Sequence, residues 1–378
     1  MAPDKLRPYG DPRAVHQHVT VPGGRSYHYW LAHPPAGRPV TGTILLVHGF
    51  PDLAFGWRYQ VPLLAEKLGL RVVVPDLLGY GQTDAPEEVA PYGHKSVCRD
   101  LVAVVDHVLG GGQVDDNDDN GDRRRFFVGG HDWGGAVAWR MVLWHPDRVR
   151  AVFSVCTPYF APATGPFVDL PQRVQALPSF GYQLQFAGDV LWRAVQGETR
   201  IRQFLSILFG GRASAATGDQ NSGSSSSNGD VAPVLFTTAH GIDLARLDQV
   251  GPTPLLSAEE LDYYVTEYAR SGMRGPTNWY RTQRVNYEDE RALVDGGGGG
   301  SRGSRTIAVP SLMVVATNDA ALPPSLSAGM DRYFVKLTKH TVPGGHWVLW
   351  QSPDAVNKVI TDFLAPLLPG RGTQRASI

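Results

Sequence analysis

The 378-residue chain predicts an α/β protein, a mostly parallel central sheet covered by helices, with one helical insertion. Two patterns carry this reading. Short apolar, β-branched runs alternate with longer stretches of helical period, as parallel sheets covered on both faces require. That alternation then stops between about residues 157 and 290, where helical, aromatic-rich sequence takes over.

Taken in order, strands are expected at "SYHYWL" (26–31), "GTILLVH" (42–48), "RVVVPD" (71–76), "FFVGGH" (126–131), "AVFSVC" (151–156), "SLMVVAT" (311–317) and "FVKLTKHT" (334–341). Between them, "SVCRDLVAVVDHVLG" (96–110) places Val97, Leu101, Val104, Val105 and Val108 on one helical face and stops at glycines. "AVAWRMVLWHP" (136–146) should end at Pro146, and "SPDAVNKVITDFLAPL" (352–367) should start with Ser352 as N-cap and Pro353 in the first helical position. Inside the insertion, Ser257 and Glu260 form a capping box, followed by Leu261, Tyr264, Val265 and Tyr268 at helical spacing. The expected organisation is a core in two parts, 1–156 and 291–378, around a helical cap, 157–290. Three low-complexity stretches, 110–125, 212–230 and 296–304, lack the apolar residues to fold alone and are expected to be mobile surface loops.

Composition excludes several classes. Lys and Arg number 35 against 36 Asp and Glu, so no basic excess exists to neutralise phosphates, and nucleic acid is not an expected partner. No apolar run approaches the ~20 residues a membrane span needs, and the first residues lack the apolar core of a signal peptide. Two cysteines, Cys98 and Cys156, cannot make a disulfide framework, and a reducing, cytoplasmic setting is expected.

The most informative stretch is "VGGHDWGGAV" (128–137). Glycine-rich sequence around an acid is commonly a plain turn. Here a strand precedes it and a helix follows, the frame of a nucleophile elbow, with Asp132 where a serine would be expected. Gly130 and Gly134 supply the small residues of the tight turn, and the free N–H groups of the following helix favour a carboxylate. A carboxylate nucleophile suits displacement at an sp³ carbon, because the ester it leaves can then be hydrolysed. A serine would leave an ether.

"HGFP" (48–51), "GYGQT" (79–83), "GHDWGG" (130–135), "NWYR" (278–281) and "GGHW" (344–347), in that order, resemble the soluble-type epoxide hydrolases of the α/β-hydrolase fold. The resemblance runs from about residue 20 to 367. It implies conversion of an epoxide and water to a vicinal diol through a covalent ester on Asp132, with no metal and no cofactor. His346 would be the base that activates water. Asp319, after the strand 311–317, would orient it, in the order nucleophile, acid, histidine. Glu288, Asp289 and Glu290 are acidic competitors near the end of the cap. Backbone N–H groups of Phe50 and Trp133 would form the oxyanion hole, with His48 and Pro51 shaping the first loop. Tyr280 and Tyr182 would donate to the opening epoxide oxygen, while Tyr263, Tyr264 and Tyr268 read as packing. The implied substrate is an apolar or aryl epoxide. Two rivals remain. A haloalkane dehalogenase shares the aspartate and histidine but replaces the phenols with halide donors, and a catalytically silent scaffold could use the same fold.

Overall fold

The computed structural model describes residues 3–110, 124–213, 234–295 and 305–369. Most of the three low-complexity stretches therefore lie outside the described residues. Eight of the described strands form one sheet: β1 (Val15–Thr20), β2 (Ser26–Ala32), β3 (Gly42–Val47), β4 (Leu70–Pro75), β5 (Phe126–His131) and β6 (Val149–Val155), then, beyond a two-stranded hairpin of β7 (Phe236–Thr237) and β8 (Gly241–Ile242), β9 (Ser311–Ala316) and β10 (Leu337–Val342). Their order is β1-β2-β4-β3-β5-β6-β9-β10. β1, β2 and β4 pair antiparallel, and every pairing from β4 to β10 is parallel. The central strands are buried on both faces, which is why they read as continuous apolar runs rather than as alternation.

Seven helices matter below: α1 (His94–Val108), α2 (Trp133–Trp144), α3 (Tyr182–Ala187), α4 (Gly197–Leu208), α5 (Ala258–Ser271), α6 (Gln283–Val294) and α7 (Pro353–Leu364). α2 is buried around much of its circumference, and its chain leaves the helix at Trp144, two residues before Pro146, as the steric demand of proline on its predecessor requires. The capping box of α5 forms in full: Ser257 Oγ accepts from Glu260 N at 3.2 Å, and Glu260 Oε2 accepts from Ser257 N at 2.9 Å.

Several expectations are corrected. β1, "VHQHVT", is polar and exposed along most of its length, so hydrophobic patterning gives no sign of it. Its pairing rests on backbone bonds to β2. Ser352 occupies the N-cap position of α7 without capping it, because its hydroxyl donates to the Pro343 carbonyl at 2.5 Å. The last strand begins at Leu337 rather than 334, Phe334 being drawn onto the rings of Trp139 and Tyr159. Between β6 and β9 the described residues are mainly helical, with the β7–β8 hairpin among them.

Strand order places the site. From β3 the chain proceeds to β4 on one side, whereas β5 lies on the other, so the loops after β3 and β5 diverge and leave a crevice at the sheet's carboxyl edge. The two loops are held together by close backbone contact. A Cβ on Gly130 would lie 2.0 Å from the Gly134 carbonyl oxygen, and one on Gly134 would lie 2.0 Å from that of Val47. We expect Gly134→Ala to force β3 and α2 apart and destabilise the fold by about 3 kcal/mol, read as a lower midpoint in denaturant unfolding.

Candidate functional site

Asp132 sits at the end of β5 with φ 52° and ψ −124°, a left-handed region in which a non-glycine residue is strained. The turn aims its carboxylate into the crevice. Asp132 Oδ1 accepts the Phe50 N–H at 2.7 Å, the Trp133 N–H donates to the same carboxylate, and Thr157 Oγ1 donates to the Asp132 carbonyl at 2.7 Å. The Phe50–Pro51 peptide is cis. Burial raises the Asp132 carboxyl above its usual range, and the His346 charge and the two backbone donors act against that rise.

His346 follows β10 on the loop leading to α7. Its Nε2 lies 3.6 Å from Asp132 Oδ2, and its Nδ1 bonds Asp319 Oδ2 at 2.7 Å. Asp319 stands just beyond β9, where its other oxygen accepts the N–H groups of Ala321 and Leu322, each at 2.9 Å. Burial alone would depress the His346 imidazole, but the charge and hydrogen bond of Asp319, joined by the charge of Asp132, lift it to about 9. Burial opposes ionisation of Asp319 in turn, and the adjacent imidazolium more than offsets it, holding that carboxyl well below its usual range. His131 Nε2 donates to the His346 carbonyl at 2.8 Å, fixing the loop's backbone. Burial depresses His131 to about 3, so it stays neutral.

Across a cavity of about 640 Å³ stand Tyr182, at the start of α3, and Tyr280, in the turn before α6. Their ring centroids are 6.1 Å apart, and Tyr280 makes edge contacts at 5.3 Å with both Phe50 and Trp133. Burial pushes both phenols up, so each keeps its proton at neutral pH. Phe186, Leu208, Leu235, Phe236 and Trp347 make the remaining wall largely apolar. The structure thus gathers Phe50, Asp132, Tyr182, Tyr280, Asp319 and His346 around one cavity, with the Trp133 N–H beneath it. Glu290, an acidic competitor for the histidine, instead pairs with Arg140. His48 donates to the Gly49 carbonyl in its own loop and accepts the Leu77 N–H, in the turn after β4, at 2.8 Å.

Sequence reasoning missed Asp52. This buried carboxyl accepts the Tyr264 hydroxyl at 2.6 Å and the Leu53 N–H at 2.8 Å, tying the "HGFP" loop to α5. Burial pushes it up to about 7, with the Tyr264 bond the main opposing influence. Tyr264 therefore does more than pack. The signal available was position alone, since Asp52 directly follows "HGFP". Among the described residues His131, Cys156 and His346 cluster closely enough to suggest a metal set. His346 Nδ1 is committed to Asp319 and His131 Nε2 to a carbonyl, while His131 Nδ1 is buried without a hydrogen-bond partner among the described residues.

Residues 42–353 match the family described as the alpha/beta hydrolase fold. The chain is 39% identical over 375 residues to the epoxide hydrolase srdG of Neurospora crassa, covering 97% of this chain and 100% of that protein. It is 31% identical over 351 residues to the bifunctional epoxide hydrolase 2 of Mus musculus, covering 92% of this chain and 55% of that longer protein. The crystal structure of epoxide hydrolase A from Mycobacterium thermoresistibile superposes with a TM-score of 0.69 at 27% identity, covering 93% of this chain and 98% of that one. The chain belongs to the epoxide hydrolases of the alpha/beta hydrolase fold family. No helix among the described residues is long and apolar enough to cross a membrane.

The raised His346 value carries a definite pH dependence. Stability drawn from its ion pairs is fully present below its ordinary value of 6.5 and is lost as pH rises through about 9. Because the Asp132 charge contributes to the rise, Asp132→Asn should lower the His346 pKa, measured by NMR titration of the imidazole.

Proposed function

We propose that the protein hydrolyses apolar or aryl epoxides to vicinal diols in two covalent steps. The observation that carries this reading is the opposition of two protonated phenols, Tyr182 and Tyr280, to a carboxylate held by two backbone N–H groups. In this reading residues 157–290 act as a cap that roofs the site with the phenols, over a core of 1–156 and 291–378.

In the first step Asp132 Oδ2, the oxygen not bonded to Phe50, attacks an epoxide carbon. The ring C–O bond breaks, its electrons go to the oxygen, and a phenol proton neutralises that oxygen. Asp132 becomes an uncharged ester, with Oδ1 as its carbonyl beside the Phe50 and Trp133 N–H groups. The resting imidazolium, whose elevated pKa depends partly on Asp132's charge, then gives its proton to restore the phenol. Neutral His346 is left as a base next to the ester.

In the second step His346 removes a proton from water, and the hydroxide adds to the Asp132 Cγ. The oxyanion formed at Oδ1 meets its two N–H donors. Collapse breaks the bond from Cγ to the diol oxygen, the proton of the added hydroxyl passes to that leaving oxygen, and the carboxylate is restored with His346 protonated, held by Asp319. Protons and charge return to the starting state with one epoxide and one water consumed.

A dehalogenase would share Asp132, His346 and the ester. It needs no proton donor for its leaving halide, and the phenol pair favours the epoxide. A silent scaffold has no use for this nucleophile, base and donor arrangement. The two described cysteines are buried and unpaired, which agrees with a reducing, cytoplasmic setting.

A single turnover in heavy-oxygen water with enzyme in excess over styrene oxide tests the covalent route. The first diol should be unlabelled and the label should appear in the Asp132 carboxylate. A labelled first diol sinks the mechanism, and halide release from haloalkanes without epoxide turnover would favour the dehalogenase. We expect Tyr280→Phe to slow ring opening at least about tenfold, out of the 10²–10⁴ typical of a positioned proton donor, while ester hydrolysis changes little. Rapid-quench measurement of the ester's formation and decay separates the two.

A further inference from the structure

The helix that carries the nucleophile and the helix that follows Tyr280 are braced by a buried ion pair. Arg140, on α2, donates through Nε to Glu290 Oε1 at 2.7 Å and through Nη2 to Glu290 Oε2 at 3.1 Å. Glu290 lies on α6, and both side chains are withdrawn from solvent. The remaining Arg140 nitrogen, Nη1, donates to the Phe160 carbonyl at 2.8 Å. Phe160 stands where the chain has just left β6 for the insertion, and α6 is the insertion's last helix. One guanidinium therefore grips both crossings between the core and the inserted segment.

The spacing gives this brace a purpose. Arg140 lies two helical turns beyond Trp133, and Glu290 lies two turns beyond Gln283, about 10 Å along each axis. The starts of the two helices lie close together, the Trp133 ring 5.3 Å from Tyr280 and 6.2 Å from Trp279 between centroids. At those starts are Asp132 with the Trp133 N–H on one element and Tyr280 on the other. The stripe Thr282, Asn286 and Glu290 recurs every four residues and so occupies one face of α6. Asn286 Oδ1 accepts the His94 N–H at 2.8 Å, at the start of α1, and Asn286 Nδ2 donates to Thr282 Oγ1 at 3.1 Å. Thr282 Oγ1 in turn donates to the Trp279 carbonyl at 2.8 Å, one residue before Tyr280. A run of side-chain bonds thus leads from Asn286 to the turn that presents the phenol, and His94, whose Nδ1 lies 3.9 Å from Glu290 Oε1, stands between that run and the Arg140–Glu290 pair.

Stability alone is a weak account of such a pair. Desolvating a guanidinium and a carboxylate costs several kcal/mol each, and apolar replacements of similar volume are often as stable. Direction is what the bidentate pair supplies and an apolar pair does not.

We propose that Arg140 and Glu290 are positioning residues for ring opening, their ion pair fixing the register between the nucleophile's helix and the element bearing Tyr280. The proposal rests on the epoxide-hydrolase reading and touches only its first step. The test is a double-mutant cycle, E290Q in the wild-type and Y280F backgrounds, with ester formation and decay followed by rapid quench on styrene oxide. In the wild-type background E290Q should slow ring opening about tenfold, ~1.4 kcal/mol in the barrier, with decay within about twofold. In the Y280F background the same change should alter ring opening by less than about twofold, because the group being positioned is gone. Equal slowing in both backgrounds, equal slowing of both steps, or unchanged ring opening would overturn it. Should E290Q fail to fold, the apolar pair R140M/E290L, which strands no buried charge, enters the same cycle with the same expected pattern. Wild-type turnover is read first. Its absence defeats the epoxide reading and this proposal together, whereas intact turnover with a flat cycle defeats only the proposal.

Discussion

The site depends on one close approach, that of the loop after β3 to the elbow after β5. Phe50's amide reaches the Asp132 carboxylate because glycines let two backbones come within contact that a single methyl group would prevent. A Cβ on Gly49 would lie 2.3 Å from Asp132 Oδ1 itself. Everything chemical is referred to that contact. It chooses which carboxylate oxygen is held and which is free, and it places a donor where negative charge would develop. It also leaves Asp132 backbone strain that the surrounding bonds must hold.

A second constraint is electrostatic. Two carboxylates and one imidazole are withdrawn from water within a few ångströms of one another. Each ion alone would be expelled by desolvation, and together they fix one another's protonation. The arrangement is responsive: a change in Asp132's charge is felt at His346. Asp52, on the loop after β3 and pushed up to about 7 by burial, adds a charge that raises His346 and is itself raised by the charge of Asp132.

Much of this was legible in the sequence where local chemistry demands it. β3, β5 and β9 are buried on both sides, so their apolar runs have no alternative reading, and the Ser257–Glu260 box marks its helix by residue type alone. β1 escaped notice because an edge strand with polar side chains is specified by its partner's backbone. Ser352 shows the limit of motif reasoning, since a hydroxyl with a nearer acceptor abandons the cap. Asp132, His346 and Tyr280 sit in distinctive local motifs. Tyr182 sits in a short, weak one, yet the fold brings it to the same cavity. Asp52, Arg140 and Glu290 were not legible as a group, because each acquires meaning from a partner on another element that nothing in its own neighbourhood specifies.

The placement of β6 beside β9 has an implication for how such a protein changes over time. Val152 pairs directly with Ser311, so the entire insertion leaves and re-enters the sheet between neighbouring strands. Loop-closure entropy grows only logarithmically with length, so lengthening or trimming the inserted segment perturbs the sheet little. The inserted segment is thus a module that evolution can resize while Asp132, His346 and the backbone N–H groups of Phe50 and Trp133 stay where they are. The inserted segment brings Tyr182 and Tyr280 to the cavity and the two flanking parts bring Asp132, Asp319 and His346, and a single arginine grips both crossings between them.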